Sequence, residues 1–571
     1  MKSTSFLIKT STNQEKVPNI YCVYSDAFCS LYIRVHNTNH IQFICDEEGF
    51  IVYVGEKTKT SLLRETVSRP GQGTLVKYTK ASKNIAIDTD RLGTALLYYS
   101  RDHNDNLEIS NRLDNLTLTG KAPNWSSIQQ YLNTGYTIGS NTFFHKIEQT
   151  LPNENLTACS EESFQIKRTA PEPAGLKDTY TVSQLMDELA SRLSIVLQEL
   201  PSSVLMMSAG WDSRTLLMNG SENYHTAYTH GDLSSREISI ARTLTGNLRM
   251  DHAFSDIKNL DLSEDLLKRM LDELGFCIFP VWYIAGRRAQ EIHNAPLSSG
   301  VLGELLGGHY GVLSIGTRFQ KILASASLVN EKLIRNDQFK KALERFTTPA
   351  AHHWFLSAEG HNCLAESANS TKNIMRNQLN ATYQNIGDWQ SAIETFNMEH
   401  RARQYILKQA QAASCTSGYI APFADDELAK ISQLIPFSSR VHNKLNQRVL
   451  RAQHPQLLNY SMAATLLPAK YPILLQEFSR AARIALEQAR KLMKVNQPRL
   501  GWFNYEHLYQ STVLYKIIDS LTSPLWDKSR MRNTIETNPR NGIDAGSTLD
   551  MLCKVKTVDY YLELNQQLLG Y

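Results

Sequence analysis

The hydrophobic period of the chain changes near residue 180, and that change limits the fold more than any other feature. Before it, apolar runs such as IYCVYS, SLYIRV, HIQFIC and FIVYVG alternate with turn-forming residues, which predicts a strand-rich region. NIAIDTDRLGTALLYYSRDHNDNLEIS continues the pattern as strand, turn, strand, polar hairpin and strand. The stretch ESFQIKRTAPEPAGLKD, with its prolines and glycine, reads as a linker and places a boundary near residues 170–180. Beyond it, Leu185, Leu189, Leu193 and Leu197 recur at four-residue intervals on one helix face. SSVLMMS, YHTAYTH and SSREISIARTLTGNL then read as strand, strand and helix, and a third helix–strand unit ends at APLSSG. This rhythm predicts a parallel sheet covered by helices. After about residue 320 the chain reads as mainly helical, and ARIALEQARKLMKV is an amphipathic basic helix whose charged face is expected to be solvated.

A chain of 571 residues is long enough for two or three domains with their own cores. Lysine plus arginine (60) barely exceed aspartate plus glutamate (56), and without a clustered basic patch no nucleic-acid partner is expected. The eight cysteines form no C-x-x-C pair and no metal-like spacing, so they read as reduced, mostly core thiols of a cytoplasmic protein. No apolar run approaches the roughly 18 residues of a membrane span, and MKSTSFLIKTSTNQEK lacks a secretory apolar core. Neither secretion nor membrane insertion is expected.

The stretch LMMSAGWDSRTLL, from Leu205, carries the most chemistry. At the carboxyl end of a parallel strand, a turn of small residues lets backbone N–H groups approach an anion, and the following helix adds partial positive charge. Ser208, Ala209, Gly210 and Ser213 fit such a cradle, and Asp212 beside an anion makes sense with a cation such as Mg²⁺ between them. No G-x-x-x-x-G-K-[ST] phosphate loop occurs. The plain alternative is a tight turn in which Asp212 merely stabilises the helix dipole.

SAGWDSRTLL resembles the S-G-G-x-D-S pyrophosphate loop of the asparagine synthetase family, among the ATP pyrophosphatases. Four further segments follow in the family's order. YTHG with its Arg-Glu helix and DHAF resembles the second strand and helix, and LDELGFCIFPVWYIAGRRAQ the aspartate-glutamate segment. LSSGVLGELLGGHY resembles the acidic loop S-G-x-G-x-D-E-x-F-G-G-Y, and APFADDEL the late S-P-F-L-D-x-x-L. IDTDRLGTALLYY and QYLNTGYTIGSNTFFHKIEQTLPNENL resemble parts of the glutaminase-like domain, so the likeness covers roughly residues 20–470. It implies an α+β Ntn-hydrolase-like domain, a β-rich sandwich, over 1–175. An α/β PP-loop synthetase domain of the adenine-nucleotide alpha-hydrolase type would follow over 176–470, and a helical C-terminal extension over 471–571. It also implies ATP and Mg²⁺ as cofactors. Ser208, Ala209, Gly210 and Ser213 would hold pyrophosphate and Asp212 and Glu304 the metal, with His230 at the adenine-side strand end contacting through its backbone.

The sequence departs from the family in three places. Glutaminase-active members begin Met-Cys, whereas Met1-Lys2-Ser3 stands here and Cys22 and Cys29 are internal, so the first domain is expected to be a scaffold, as in β-lactam synthetases and lasso-peptide cyclases. In the acidic loop, Gly300 and Gly303 stand where a glutamate and an aspartate are usual, leaving Glu304, with Glu273 or Asp272 as nearby substitutes. The catalytic lysine falls on Lys470 with an offset or on Lys444, either of which also reads as a surface lysine. The implied activity is an ATP-dependent amide ligase that adenylates a small-molecule or peptide carboxylate and transfers it to an amine or ammonia, in specialised-metabolite, peptide or surface-polysaccharide biosynthesis. Ammonia-dependent asparagine synthesis and a non-catalytic, nucleotide-binding or regulatory relative stay open, as does a homodimer.

Overall fold

The computed structural model describes residues 5–10, 21–34, 41–55, 72–159, 165–169, 180–256, 262–311, 353–414, 418–493, 505–538 and 545–567. The N-terminal part is antiparallel, as its alternating pattern predicts. One sheet is built from β1 (Ser5–Lys9), β2 (Tyr21–Ser25), β3 (Ser30–Arg34), β8 (Tyr98–Arg101), β9 (Leu107–Ser110) and β10 (Ile147–Gln149), in the order β10-β8-β9-β1-β3-β2. The other is built from β4 (Ile41–Asp46), β5 (Gly49–Gly55), β6 (Gly73–Thr79), β7 (Asn84–Thr89), β11 (Asn155–Cys159) and β12 (Gln165–Thr169), in the order β12-β11-β7-β6-β5-β4. Phe6, Ile8, Ile33, Val52, Val76 and Ile87 meet in the apolar core of these strands. Part of the expected linker is therefore strand, since Gln165–Thr169 pairs with Asn155–Cys159. Its polar QIKRT composition suits an edge strand, where charged side chains discourage further pairing. The prolines of that stretch lie outside the described residues.

Helix α1 (Trp125–Thr134) completes this part, and α2 (Val182–Gln198) opens the next. Thr181 and Gln184 cap α2 reciprocally, and the four predicted leucines are all buried. A five-stranded parallel sheet follows, made of β13 (Ser203–Met206), β14 (Tyr224–Gly231), β15 (His252–Asp256), β16 (Leu297–Ser298) and β17 (Tyr419–Ile420). Its order is β15-β14-β13-β16-β17. Between strands lie α3 (Trp211–Thr215), α4 (Arg236–Asn247), α5 (Glu264–Leu274), α6 (Pro280–Ile292) and α7 (Glu304–Gly307). The two-residue β17, within a region expected to be helical, is too short to leave a periodic signal.

The later described residues are otherwise mainly helical. α8 (Ala358–Ile386) and α9 (Trp389–Asn397) lead into a π-helical stretch, Met398–Ile406, and then α10 (Leu407–Ala413). α11 (Asp426–Leu434), α12 (Lys444–Gln453), α13 (Ile473–Leu492) and α14 (Ala545–Gln567) come after. The C-terminal helix is no appendage: Leu552, Val555, Val558 and Leu562 of α14 share one core with Leu7, Ile128, Met270 and Tyr283. In α13 the exposed face is not only charged, since Leu474, Leu475, Phe478 and Leu486 point outward while Glu487 pairs with Arg236 and Arg483. No helix among the described residues is long and apolar enough to cross a membrane. The six described cysteines with assigned environments are free thiols, with Cys29, Cys277 and Cys553 buried, Cys45 and Cys363 half-buried, and Cys22 exposed.

Candidate active site

The strand order reverses at β13: the chain runs outward through β14 and β15, then returns to place β16 and β17 on the other side. The turns leaving β13 and β16 lie at this reversal on the carboxyl edge, where ligands of parallel sheets collect. Both sequence motifs fall there. Met207–Gly210 leaves β13 and enters α3, and Ser299–Gly303 leaves β16 and enters α7.

The first turn is held by its own serines. Ser208 and Ser213 hydroxyls lie 2.8 Å apart, the Ser208 hydroxyl accepts from the Gly210 N–H at 3.0 Å, and the Ser213 hydroxyl donates to the Ser208 carbonyl at 3.0 Å. The Ala209 N–H donates to the Glu237 carboxylate at 3.0 Å, so a carboxylate already occupies that donor. The backbone N–H groups of Trp211, Asp212 and Ser213, at the start of α3, have no described acceptor. Arg214, completely buried, ties the turn to a distant segment: its guanidinium donates to the carbonyls of Ala209, Leu457, Tyr460 and Ser461 at 3.0–3.2 Å. Burial lowers this guanidinium to a pKa of about 10, so it remains charged at neutral pH.

The second turn meets the first at Asp212. A methyl group at Gly303 would lie 2.5 Å from Asp212 Oδ1 and 2.6 Å from its Cβ, and one at Gly300 would lie 2.6 Å from the same Cβ. Gly303 has ordinary helical dihedrals (φ −57°, ψ −21°), so the close approach of Asp212, not backbone conformation, requires its lack of a side chain. Burial, and secondarily the charge of Glu304, push the Asp212 carboxyl well above the usual carboxylate range. No described side chain donates to Asp212, whereas Tyr310 donates to Glu304 Oε2 at 3.2 Å. Arg440 steadies this end of α7, bonding the Leu305 carbonyl at 3.1 Å while forming a buried bidentate pair with Glu394.

The structure thus brings Ser208, Ala209, Gly210, Asp212, Ser213 and Glu304 together. Glu273 and Lys470, also expected at the site, have partners of their own. His230, at the end of β14, is buried between Tyr228 and Trp282, and desolvation lowers it to a pKa of about 4, so its side chain is neutral and inward. Glu273 is committed to Tyr283 (2.7 Å) and Arg287 (2.8 Å), with no described contact to Asp212 or Glu304, and Asp272 beside it is exposed. Lys470 is exposed and donates to Asn459 at 3.1 Å. Lys444 begins α12, which packs against α7.

Sequence reading overlooked Arg214, Glu237 and Tyr310. Arg214 and Tyr310 stand inside the two motifs, but their partners lie far along the chain or across a turn. Within one chain, antiparallel sheets are followed by a parallel α/β sheet, with two turns meeting at its carboxyl edge, and a helical C-terminal part. No protein-family model matches the chain, and no curated protein matches it.

Proposed function

We propose that the chain is an ATP-dependent amide-bond-forming ligase of the asparagine synthetase type. The observation that carries the reading is the convergence of Asp212 and Glu304 from two turns at the reversal of the sheet. A buried carboxyl with no described donor, facing a second carboxylate, calls for a proton or a cation. The pair fits Mg²⁺, which commonly takes one or two carboxylates and completes its shell with substrate phosphates. When bound there it supplies charge neutralisation.

In this reading the free N–H groups of Trp211, Asp212 and Ser213 orient the phosphates, and the Ser208–Ser213 lock keeps the turn from reorganising. The substrate carboxylate attacks the α-phosphorus of ATP, the bond to the β-phosphate oxygen breaks, and pyrophosphate leaves. An amine or ammonia then attacks the acyl carbon, AMP leaves and the nitrogen loses a proton. The substrates would belong to specialised-metabolite, peptide or surface-polysaccharide biosynthesis. Carboxylate-dependent exchange of labelled pyrophosphate into ATP tests the first step, and tight ATP binding with no exchange for any carboxylate offered refutes it.

Two observations favour a second reading, a non-catalytic nucleotide-binding relative. Glu237 already occupies the Ala209 N–H, and Asp212 fills the space that acids at positions 300 and 303 would need. Binding without exchange is its signature.

A further inference from the structure

A cavity of about 250 Å³ lies between the N-terminal strands, the helices α1, α5, α10 and α14, and Tyr419 of β17, whose hydroxyl bonds that of Ser299; neither Asp212 nor Glu304 lines it. A water's share of liquid is about 30 Å³, so this space holds roughly eight waters or one small organic molecule. Besides the buried Tyr131 hydroxyl, two donors of α10 on its wall have no described partner. Lys408 and Gln411 stand three residues apart on α10, hence on one face, and both line the cavity. No described carboxylate pairs with Lys408, and the Gln411 side-chain amide has no described hydrogen-bond partner. The Lys408 ammonium instead sits 4.9 Å from the centroid of the Phe276 ring and 5.4 Å from that of Tyr131.

The other charges on the wall are matched. Arg112 pairs with Asp114, and Glu273 with Arg287. Among the described residues the lining therefore carries one cation without a carboxylate partner, half-buried in a largely apolar pocket, which favours an anion beside it. Burial lowers the Lys408 ammonium to a pKa of about 8, which leaves it mostly charged at neutral pH.

We propose that this cavity binds a small organic monocarboxylate, with its oxygens on Lys408 and Gln411 and its apolar body against Phe276, Tyr131 and Leu407. One negative charge balances the one cation. A phosphate dianion would leave a buried charge unpaired, and a neutral molecule would leave the ammonium so. Two donors side by side also suit the two oxygens of a carboxylate. This inference stands apart from the ligase reading, because it needs neither nucleotide nor turnover.

Calorimetric titration of the full chain, without ATP, tests it with phenylacetate, butyrate, phenylacetamide and inorganic phosphate. Phenylacetate or butyrate is expected to bind, and phenylacetamide to bind about ten- to a hundredfold more weakly, the loss of a charged hydrogen bond. Lys408→Met should abolish carboxylate binding while its circular dichroism and melting temperature show a folded chain, and Lys408→Arg should restore part of it. Failure of both carboxylates to bind, equal binding of the amide, binding of phosphate alone, or unchanged binding in folded Lys408→Met would overturn the proposal. Should Lys408→Met not fold, Gln411→Leu serves in its place, with loss of affinity supporting the assignment and an unchanged affinity refuting it.

Discussion

Gly303→Ala isolates the contact on which the candidate site is built. The new methyl would stand 2.6 Å from Asp212 Cβ and 2.5 Å from Oδ1, closer than real Cβ contacts come. The helical dihedrals at this position suit alanine, which by propensity alone would be favoured over glycine by up to about 1 kcal/mol. A loss of stability must therefore come from Asp212, and overpacking of this kind costs about 1–3 kcal/mol. For a domain of 150–250 residues each kcal/mol moves the melting temperature by about 2–4 °C, so a fall of about 2–12 °C is expected by scanning calorimetry. Hydrogen exchange in a peptide spanning 205–216 should quicken as well, because the displaced Asp212 sits in α3. Asp212→Gly removes the facing atoms, and in that background Gly303→Ala should lose most of its effect, a coupling of about 1–3 kcal/mol in a double-mutant cycle. If Gly303→Ala leaves both melting and exchange unchanged, or the cycle shows no coupling, the two turns do not meet as described and the site falls with them.

Three further outcomes follow from the same geometry. Asp212 is shifted upward by burial and then by Glu304, so the folded state holds its proton over a window in which the unfolded chain has released it, and the resulting penalty grows as pH rises from about 4 toward the folded value; Asp212→Asn should thus stabilise the free protein at neutral pH, lose that advantage in acid, and abolish Mg²⁺-dependent turnover. His230, lowered to about 4 against an ordinary 6.5, works in the opposite sense: its contribution is complete above about pH 6.5 and declines as pH falls through 4, by roughly 3 kcal/mol, so a His230→Phe variant that folds should show a shallower acid limb in denaturant melts between pH 6.5 and 4. Arg214→Ala, which deprives four carbonyls of their donor, should destabilise by about 3 kcal/mol or more, with Arg214→Lys recovering only part because an ammonium cannot span the same fork; equal melting of all three would remove Arg214 from the turn's support.

What the sequence determined by itself was local. Alternating apolar runs specified β2 to β5, the spacing of Leu185 to Leu197 specified a buried helix face, and the small residues at 208–210 specified a tight exit from β13. Each depends on a residue and its near neighbours, where backbone sterics and hydrophobic period leave a readable trace. The tertiary structure decided the rest. It made a strand of Gln165–Thr169, whose polar composition gives no such trace, and of Tyr419–Ile420, which is too short for one. It set Asp212 against Gly303, and so gave a steric reason for the glycines that looked in sequence only like missing acids. It also committed Glu273 to an ion pair and set Lys408 beside two rings with no described carboxylate. Whether a charge is paired, buried or free depends on groups distant in the chain, and no local spacing records that.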